Sequence, residues 1–187
     1  GTPKGPEGDP VPNITPDSDP AGAVNASFQA WQNIPTAAIS FAPLAMTSEG
    51  SVQGSVANLV TFADTQANRD VVGGALAVTR ISFNLASPYN TITRTDIAFN
   101  PAYKFSTTLA AGTFDIQSVC THEIGHALGA DHSGILEATM FQATGAAQSH
   151  QRNLAPDDMA WATMLYPKAE AAGEPNPAVV GRRRSTC

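Results

Sequence analysis

Apolar and polar positions change their period several times along this chain, and each change marks an element. In "AGAVNASFQAWQNI", residues 21–34, Val24, Phe28 and Trp31 recur on one helical face before Pro35 ends the pattern, which predicts a first helix. "TAAISFAPL" (36–44), "GSVANLVTFAD" (54–64), "GALAVTRISFN" (74–84) and "ITRTDIAFN" (92–100) are instead rich in β-branched and aromatic residues, with Gly, Pro, Asn or Asp at their borders. They predict four strands. "DIQSVCTHEIGHALG" (115–129) returns to the helical period, with Ile116, Cys120, Ile124, Ala127 and Leu128 on one apolar stripe. "PDDMAWATMLY" (156–166), opened by Pro156 and stopped by Pro167, predicts a last helix. Helices flanking a run of strands give an α+β fold. No internal repeat is visible.

The two ends break the pattern. Residues 1–20, "GTPKGPEGDPVPNITPDSDP", are crowded with Pro, Gly and Asp, and prolines so close together sustain neither a helix nor a central strand. They read as a flexible, extended lead-in. Residues 168–187 have a similar character and read as a flexible tail or linker. One domain over 21–167 lies between them, long enough to bury a real core.

Composition narrows the partners. A net charge of -6 and 42% hydrophobic residues suit a soluble globular protein, and the only basic run is Arg182-Arg183-Arg184 in the tail. Nucleic-acid binding draws on clustered Lys and Arg, so no such partner is expected. No stretch reaches the ~20 apolar residues of a membrane helix, and the chain opens at Gly1 without a leader, so any signal peptide is expected to be absent from this sequence. Two cysteines, Cys120 within a predicted helix and Cys187 at the end, make no disulfide framework. Asn13-Ile14-Thr15 and Asn25-Ala26-Ser27 fit the short N-glycosylation pattern, which recurs by chance.

The chemistry concentrates in "CTHEIGHALGADHS" (120–133), which holds three of the four histidines. At ~100° per helical residue, His122 and His126 fall about 40° apart and one turn from each other, so both imidazoles reach a single ion. Asp115, Ser118 and Gly129 share that face, while Cys120 points about 160° from His122 and reads as a buried thiol. His132 would point away if the helix continued. Gly129 allows the chain to turn, because glycine adopts left-handed conformations without side-chain cost. Three neutral nitrogens leave a fourth tetrahedral position open, as in catalytic rather than structural zinc sites. Glu123 flanks the zinc face and suits the general base of His-Glu-x-x-His metallohydrolases: zinc acidifies water and polarises the carbonyl, and the carboxylate carries the proton to the leaving amine. The plainer reading, surface or core histidines beside a solvated glutamate, loses ground to the Gly and third His at their further spacing.

The full string "HEIGHALGADH" resembles the extended pattern of the metzincin metalloproteases, and "EATMF" supplies Met140 for the methionine turn beneath their metal. Alone, Met140 would read as core filling. Ser133, directly after the third His, is similar to the matrixin branch, the matrix metalloproteinases and their bacterial relatives. Gln142 stands where the astacin-like and serralysin-like branches carry a tyrosine ligand. "LAPDDMAWATMLYP" resembles the last matrixin helix, whose adjacent acids, here Asp157 and Asp158, tie it to the turn beneath the metal. The plainer reading of the pair is a helix N-terminus stabilised by negative charge, and both can hold. "GGALAV" resembles the upper edge strand, with Gly74, Ala75, Leu76 and Ala77 lying along an extended peptide substrate.

The resemblance covers roughly residues 21–167 and implies a zincin-like fold: a twisted, mostly parallel sheet with an antiparallel edge strand, an active-site helix and a C-terminal helix. It implies a secreted, extracellular and monomeric zinc endopeptidase. A second, structural zinc of vertebrate matrixins needs further histidines, and only His150 remains, read as a surface residue on the loop after the Met turn. One zinc is therefore expected. Calcium sites are allowed by the resemblance, with no ligands assigned. The family's first strand is hard to find in residues 1–20, and no cysteine precedes the domain for a latency device. The specificity pocket is expected from His122 and "MFQATGAAQSHQRNL" (140–154). Two other functions stay open: a zinc-containing binding or adhesion module that does not turn over, against which Glu123 speaks, and a metallohydrolase of a non-peptide substrate.

Overall fold

The computed structural model describes residues 13–86 and 91–169. The lead-in as far as residue 12 and the tail from 170, with the arginine run and Cys187, lie outside the described residues. The fold is α+β. Helix α1 spans Pro20–Gln32; Asp19 caps it by accepting the Gly22 N–H at 3.0 Å, and Pro20 sits in the first turn where its missing N–H costs nothing. Helix α3 spans Ile116–Ala127, capped by Asp115, which accepts the Ser118 N–H at 2.8 Å. Between α1 and α3 the contacts are intimate. Trp31, fully buried, donates its indole N–H to Thr121 O at 2.8 Å, and Ser27 Oγ lies 3.1 Å from Gln117 O. Ile116, Cys120 and Ile124 bury the apolar stripe in the main core with Trp31, Phe99, Phe105 and Met140. Helix α4 spans Pro156–Leu165.

The main sheet has three strands in the order β1-β3-β2: β1 Leu59–Thr61, β2 Ala77–Asn84 and β3 Thr91–Phe99. β1 runs parallel to β3, with Leu59 opposite Asp96, and β2 runs antiparallel to it, with Ala77 opposite Phe99. β2 is thus the antiparallel edge strand. With one parallel and one antiparallel pairing, the described sheet is mixed rather than mostly parallel. Two short parallel strands, β4 Phe105–Ser106 and β5 Phe114–Asp115, lead into α3.

Several expectations change. Residues 36–44 form no strand; Ala37 makes a single bridge to Pro167, and the backbone pairs instead with the chain after α4 through Ala38 N to Tyr166 O (2.7 Å) and Lys168 N to Thr36 O (3.1 Å). The strand predicted over 54–64 shrinks to Leu59–Thr61, because the Asn58 side chain accepts the Thr95 N–H and so replaces the ladder at its start. Residues 13–18, assigned to the lead-in, are packed: Ile14 bridges Phe105 in parallel, and Asn13, Ile14 and Ser18 are buried. A helix α2 over Gln66–Val72 has no counterpart among the expected elements. Thr65 caps it, and its buried Asn68 side chain bonds Val52 N, Gly50 O and Ala63 O, holding the loop before β1.

Candidate metal centre

Helix α3 carries His122 and His126 on the side away from its apolar stripe. It ends in a turn whose hydrogen bonds form a Schellman motif, Gly129 N to His126 O (2.9 Å) and Ala130 N to Gly125 O (2.9 Å), with Gly129 at φ 96°. The turn redirects the chain so that His132 faces the other two rings, at centroid distances of 5.3 Å from His122 and 4.9 Å from His126. Ligand atoms of the three lie within 4.8 Å of one another.

Hydrogen bonds fix the tautomers. His122 Nδ1 meets Thr139 O at 2.7 Å and His126 Nδ1 meets Ala130 O at 2.8 Å. A carbonyl oxygen only accepts, so both Nδ1 atoms carry hydrogens and both Nε2 atoms present lone pairs. Those Nε2 atoms stand 3.1 Å apart. Two lone pairs at that distance need a cation between them, and three converging nitrogens suit a metal ion, since a proton bridges only two. A tetrahedral ion at roughly 2.0–2.1 Å from each nitrogen separates its ligands by about 3.3 Å, close to the observed pair. Burial pushes the His122 imidazolium down to about 4, further lowered by the neighbouring His126 and His132 and partly offset by Thr139 O, so its ring is neutral and ready to ligate. The residues fit a zinc ion.

Glu123 is buried at the flank of the triad, and desolvation raises its carboxyl to about 7 against the pull of a hydrogen bond from Thr79. Thr79 Oγ1, on β2, lies 2.6 Å from Glu123 Oε2 and 2.8 Å from Glu123 O. Beneath the triad, Met140 is buried, and Met140 O accepts the Ser133 N–H at 2.8 Å. Ser133 Oγ in turn donates to Asp157 Oδ2 at 2.6 Å. Asp158 accepts three backbone N–H groups, from Thr139 (2.8 Å), Met140 (3.0 Å) and Ala155 (2.8 Å). The pair of acids at the start of α4 therefore reaches both the residue after His132 and the methionine turn.

Other expected site residues fall elsewhere. Gly74, Ala75 and Leu76 precede the edge strand, which starts at Ala77. Their backbone groups are taken by a turn: Ala75 N bonds Val72 O, Gly74 O accepts from the Tyr103 hydroxyl, and Asn100 takes Ala75 O and Leu76 O. Asp115 faces Arg152 rather than the histidines, in a 2.6 Å ion pair with its carboxylate fully buried. Ser118 is buried, and its Oγ has no partner among the described residues. His150 is exposed at the start of a short 3-10 turn, and burial pushes the Cys120 thiol up to about 12.

The unexpected contributors are Thr79, Gly125, Gln151 and Arg152. A Cβ on Gly125 would stand 2.2 Å from Met140 Sδ and 2.9 Å from Trp31 Cζ2, so glycine lets the methionine approach the helix. Gln151 Nε2 bonds Thr139 O and Phe141 O on either side of Met140. Gly125 was visible inside the motif, as the residue before the second His; the others carry no local signal.

A family model described as Matrixin matches residues 10–167. A curated relative, Metalloendoproteinase 4-MMP of Arabidopsis thaliana, is 36% identical over 93 residues, which cover 50% of this chain and 26% of that protein. The match thus spans well under two thirds of the relative's length. Matrixins generally bind zinc, and the triad here offers the nitrogens for it. With most of its length under the family model, the chain belongs to the matrixin family.

Proposed function

We propose that the protein is a zinc-dependent metalloendopeptidase that hydrolyses peptide bonds of extended polypeptides. The observation that carries this reading is the convergence of three imidazole nitrogens, two of them tautomerically fixed, beside a buried carboxyl on the same helix. His122, His126 and His132 would hold one zinc ion. When bound, zinc supplies a Lewis acid that polarises the scissile carbonyl and acidifies water. Glu123 takes the proton of the attacking water and gives it to the departing amine, and its burial holds the carboxyl beside the ligands for both steps. Burial within the flank of the site also excludes bulk water from that proton. A binding module has no need of such a base.

The edge of β2 supports an extended substrate, since one side of the strand pairs with β3 and no described strand pairs with the other, which could accept a chain as a further strand. Ala77 and the residues after it, rather than Gly74 to Leu76, are the part of this edge available for such pairing. Met140, Gly129, Ser133, Asp157 and Asp158 act as support, holding the ligand helix and the turn in register. The same reading proposes a secreted protein that works as a monomer. No described helix is long and apolar enough to cross a membrane.

The test measures zinc per chain and digestion of an unfolded protein by the native sequence and by Glu123→Ala. We expect one zinc per chain in both, and at least about a hundredfold loss of cleavage in the variant. A folded, zinc-loaded native chain that cleaves no better than the variant across many peptides would sink the peptidase reading.

A further inference from the structure

We propose that Thr79 is a positioning residue, whose hydroxyl on the edge strand fixes the Glu123 carboxyl so that Oε1 is left to meet the reacting water. The inference rests on the peptidase reading and adds a residue to it. Its basis is a closed contact: one oxygen, Thr79 Oγ1, lies within hydrogen-bond distance of both the side-chain Oε2 and the main-chain O of Glu123. A hydroxyl that touches two groups of the same residue restrains the torsions between them. Without it, only the weaker pull of the Thr79 backbone N–H remains on a glutamate side chain with three rotatable bonds to order.

The geometry assigns the two carboxyl oxygens different tasks. Thr79 donates to Oε2, so Oε1 both receives and returns the proton without the carboxyl turning over. The bond to Oε2 persists whether or not Oε1 carries the proton, because Oε2 remains an acceptor in either state. Thr79 is the third residue of β2, opposite Ile97 of β3, and no described strand pairs with the outer edge of β2. The strand that would seat the substrate is therefore also the strand that aims the base. A displacement of β2 on substrate pairing would be felt at the carboxyl, and a correct seating keeps the base directed.

The test compares the zinc-loaded full chain with Thr79→Val, which keeps the β-branched shape but loses the hydroxyl, and with Thr79→Ser, which keeps the hydroxyl. Crystal structures of each report the Glu123 carboxyl, and steady-state kinetics on a peptide substrate separate kcat from KM. We expect Thr79→Val to shift the Glu123 carboxyl, to lower kcat about ten- to a hundredfold and to leave KM within about twofold, at unchanged zinc content. Thr79→Ser should restore the carboxyl position and bring kcat back to within about threefold of native. Thr79→Ala repeats the comparison should Thr79→Val fail to fold. A carboxyl in the same place in native and hydroxyl-less proteins overturns the proposal whatever the rates, as does an unchanged kcat or an equal loss in Thr79→Ser. A native protein that holds zinc but cleaves nothing, while Thr79→Val still moves Glu123, leaves the positioning role standing and removes the peptidase reading.

Discussion

Gly125 and Gly129, four residues apart, are both glycine for different physical reasons. At Gly129 the backbone itself is the constraint: φ is 96°, and an added Cβ would meet nothing nearer than Ile92 Cδ1 at 3.7 Å. Gly129→Ala should cost about 1–2 kcal/mol through left-handed strain alone. At Gly125 the helix is regular and the constraint is space, since Met140 Sδ and Trp31 occupy the volume of a Cβ. Gly125→Ala should cost about 1–3 kcal/mol by overpacking and should displace Met140. Denaturant titration of both variants checks the two values, and trimming Met140 to a smaller apolar residue should relieve the second cost and not the first. This contrast also marks what the sequence could disclose. His122, His126, Glu123 and Gly129 were legible because their relations are local, set by helical period and one turn. Thr79 was not, because its partner lies 44 positions away and only the packing of β2 on α3 brings them together.

Among the elements, helices were more legible than strands. α1 and α3 announce themselves by an apolar stripe with a cap or a proline, and α4 by the prolines at its two ends, all within one short window. A strand is defined by its partner. The β-branched and aromatic segment 36–44 found its partner in the chain after α4 instead of in the sheet, and Asn58 cut short the start of β1 with a side-chain bond that no periodicity reveals. α2 has only two turns, too short for a stripe, though Thr65 and Gly73 bound it as a cap and a left-handed stop. Elements are then joined by buried carboxylates. Asp158 accepts three N–H groups from the methionine turn and its own helix start. Asp158→Ala should destabilise the protein by roughly 2–4 kcal/mol, because three donors lose a charged acceptor. It should also weaken zinc binding about tenfold or more, since Thr139 O, which orients His122, belongs to the same turn. Chelator competition and thermal unfolding measure the two effects separately.

For the molecule as a whole, the metal site has an energetic signature before any metal binds. Glu123 titrates at about 7 when folded against 4.5 in the unfolded chain, so below pH 4.5 it is neutral in both states and its burial carries no charge penalty. As pH rises from 4.5 to about 7 the unfolded chain gives up the proton that the buried carboxyl keeps, and stability falls. His122 acts in the opposite sense, adding stability as pH rises from about 4 to 6.5, because it is held neutral when folded. Comparing metal-free native protein with metal-free Glu123→Gln cancels the histidine contribution. The variant should be no more stable near about pH 4 and more stable by roughly 2–3 kcal/mol near about pH 8, as read from denaturation midpoints. An advantage that does not grow with pH would mean that the carboxyl is well solvated. The pairing of residues 36–38 with 166–168 has a separate, practical meaning. Tyr166 donates its hydroxyl to Leu128 O at 2.5 Å, at the very end of the ligand helix, while its backbone and that of Lys168 clasp Ala38 and Thr36. A chain shortened to end at Leu165 would lose this clasp and the anchor on the turn that aims His132, whereas one ending at Lys168 would keep both; residue 168 is where trimming should stop.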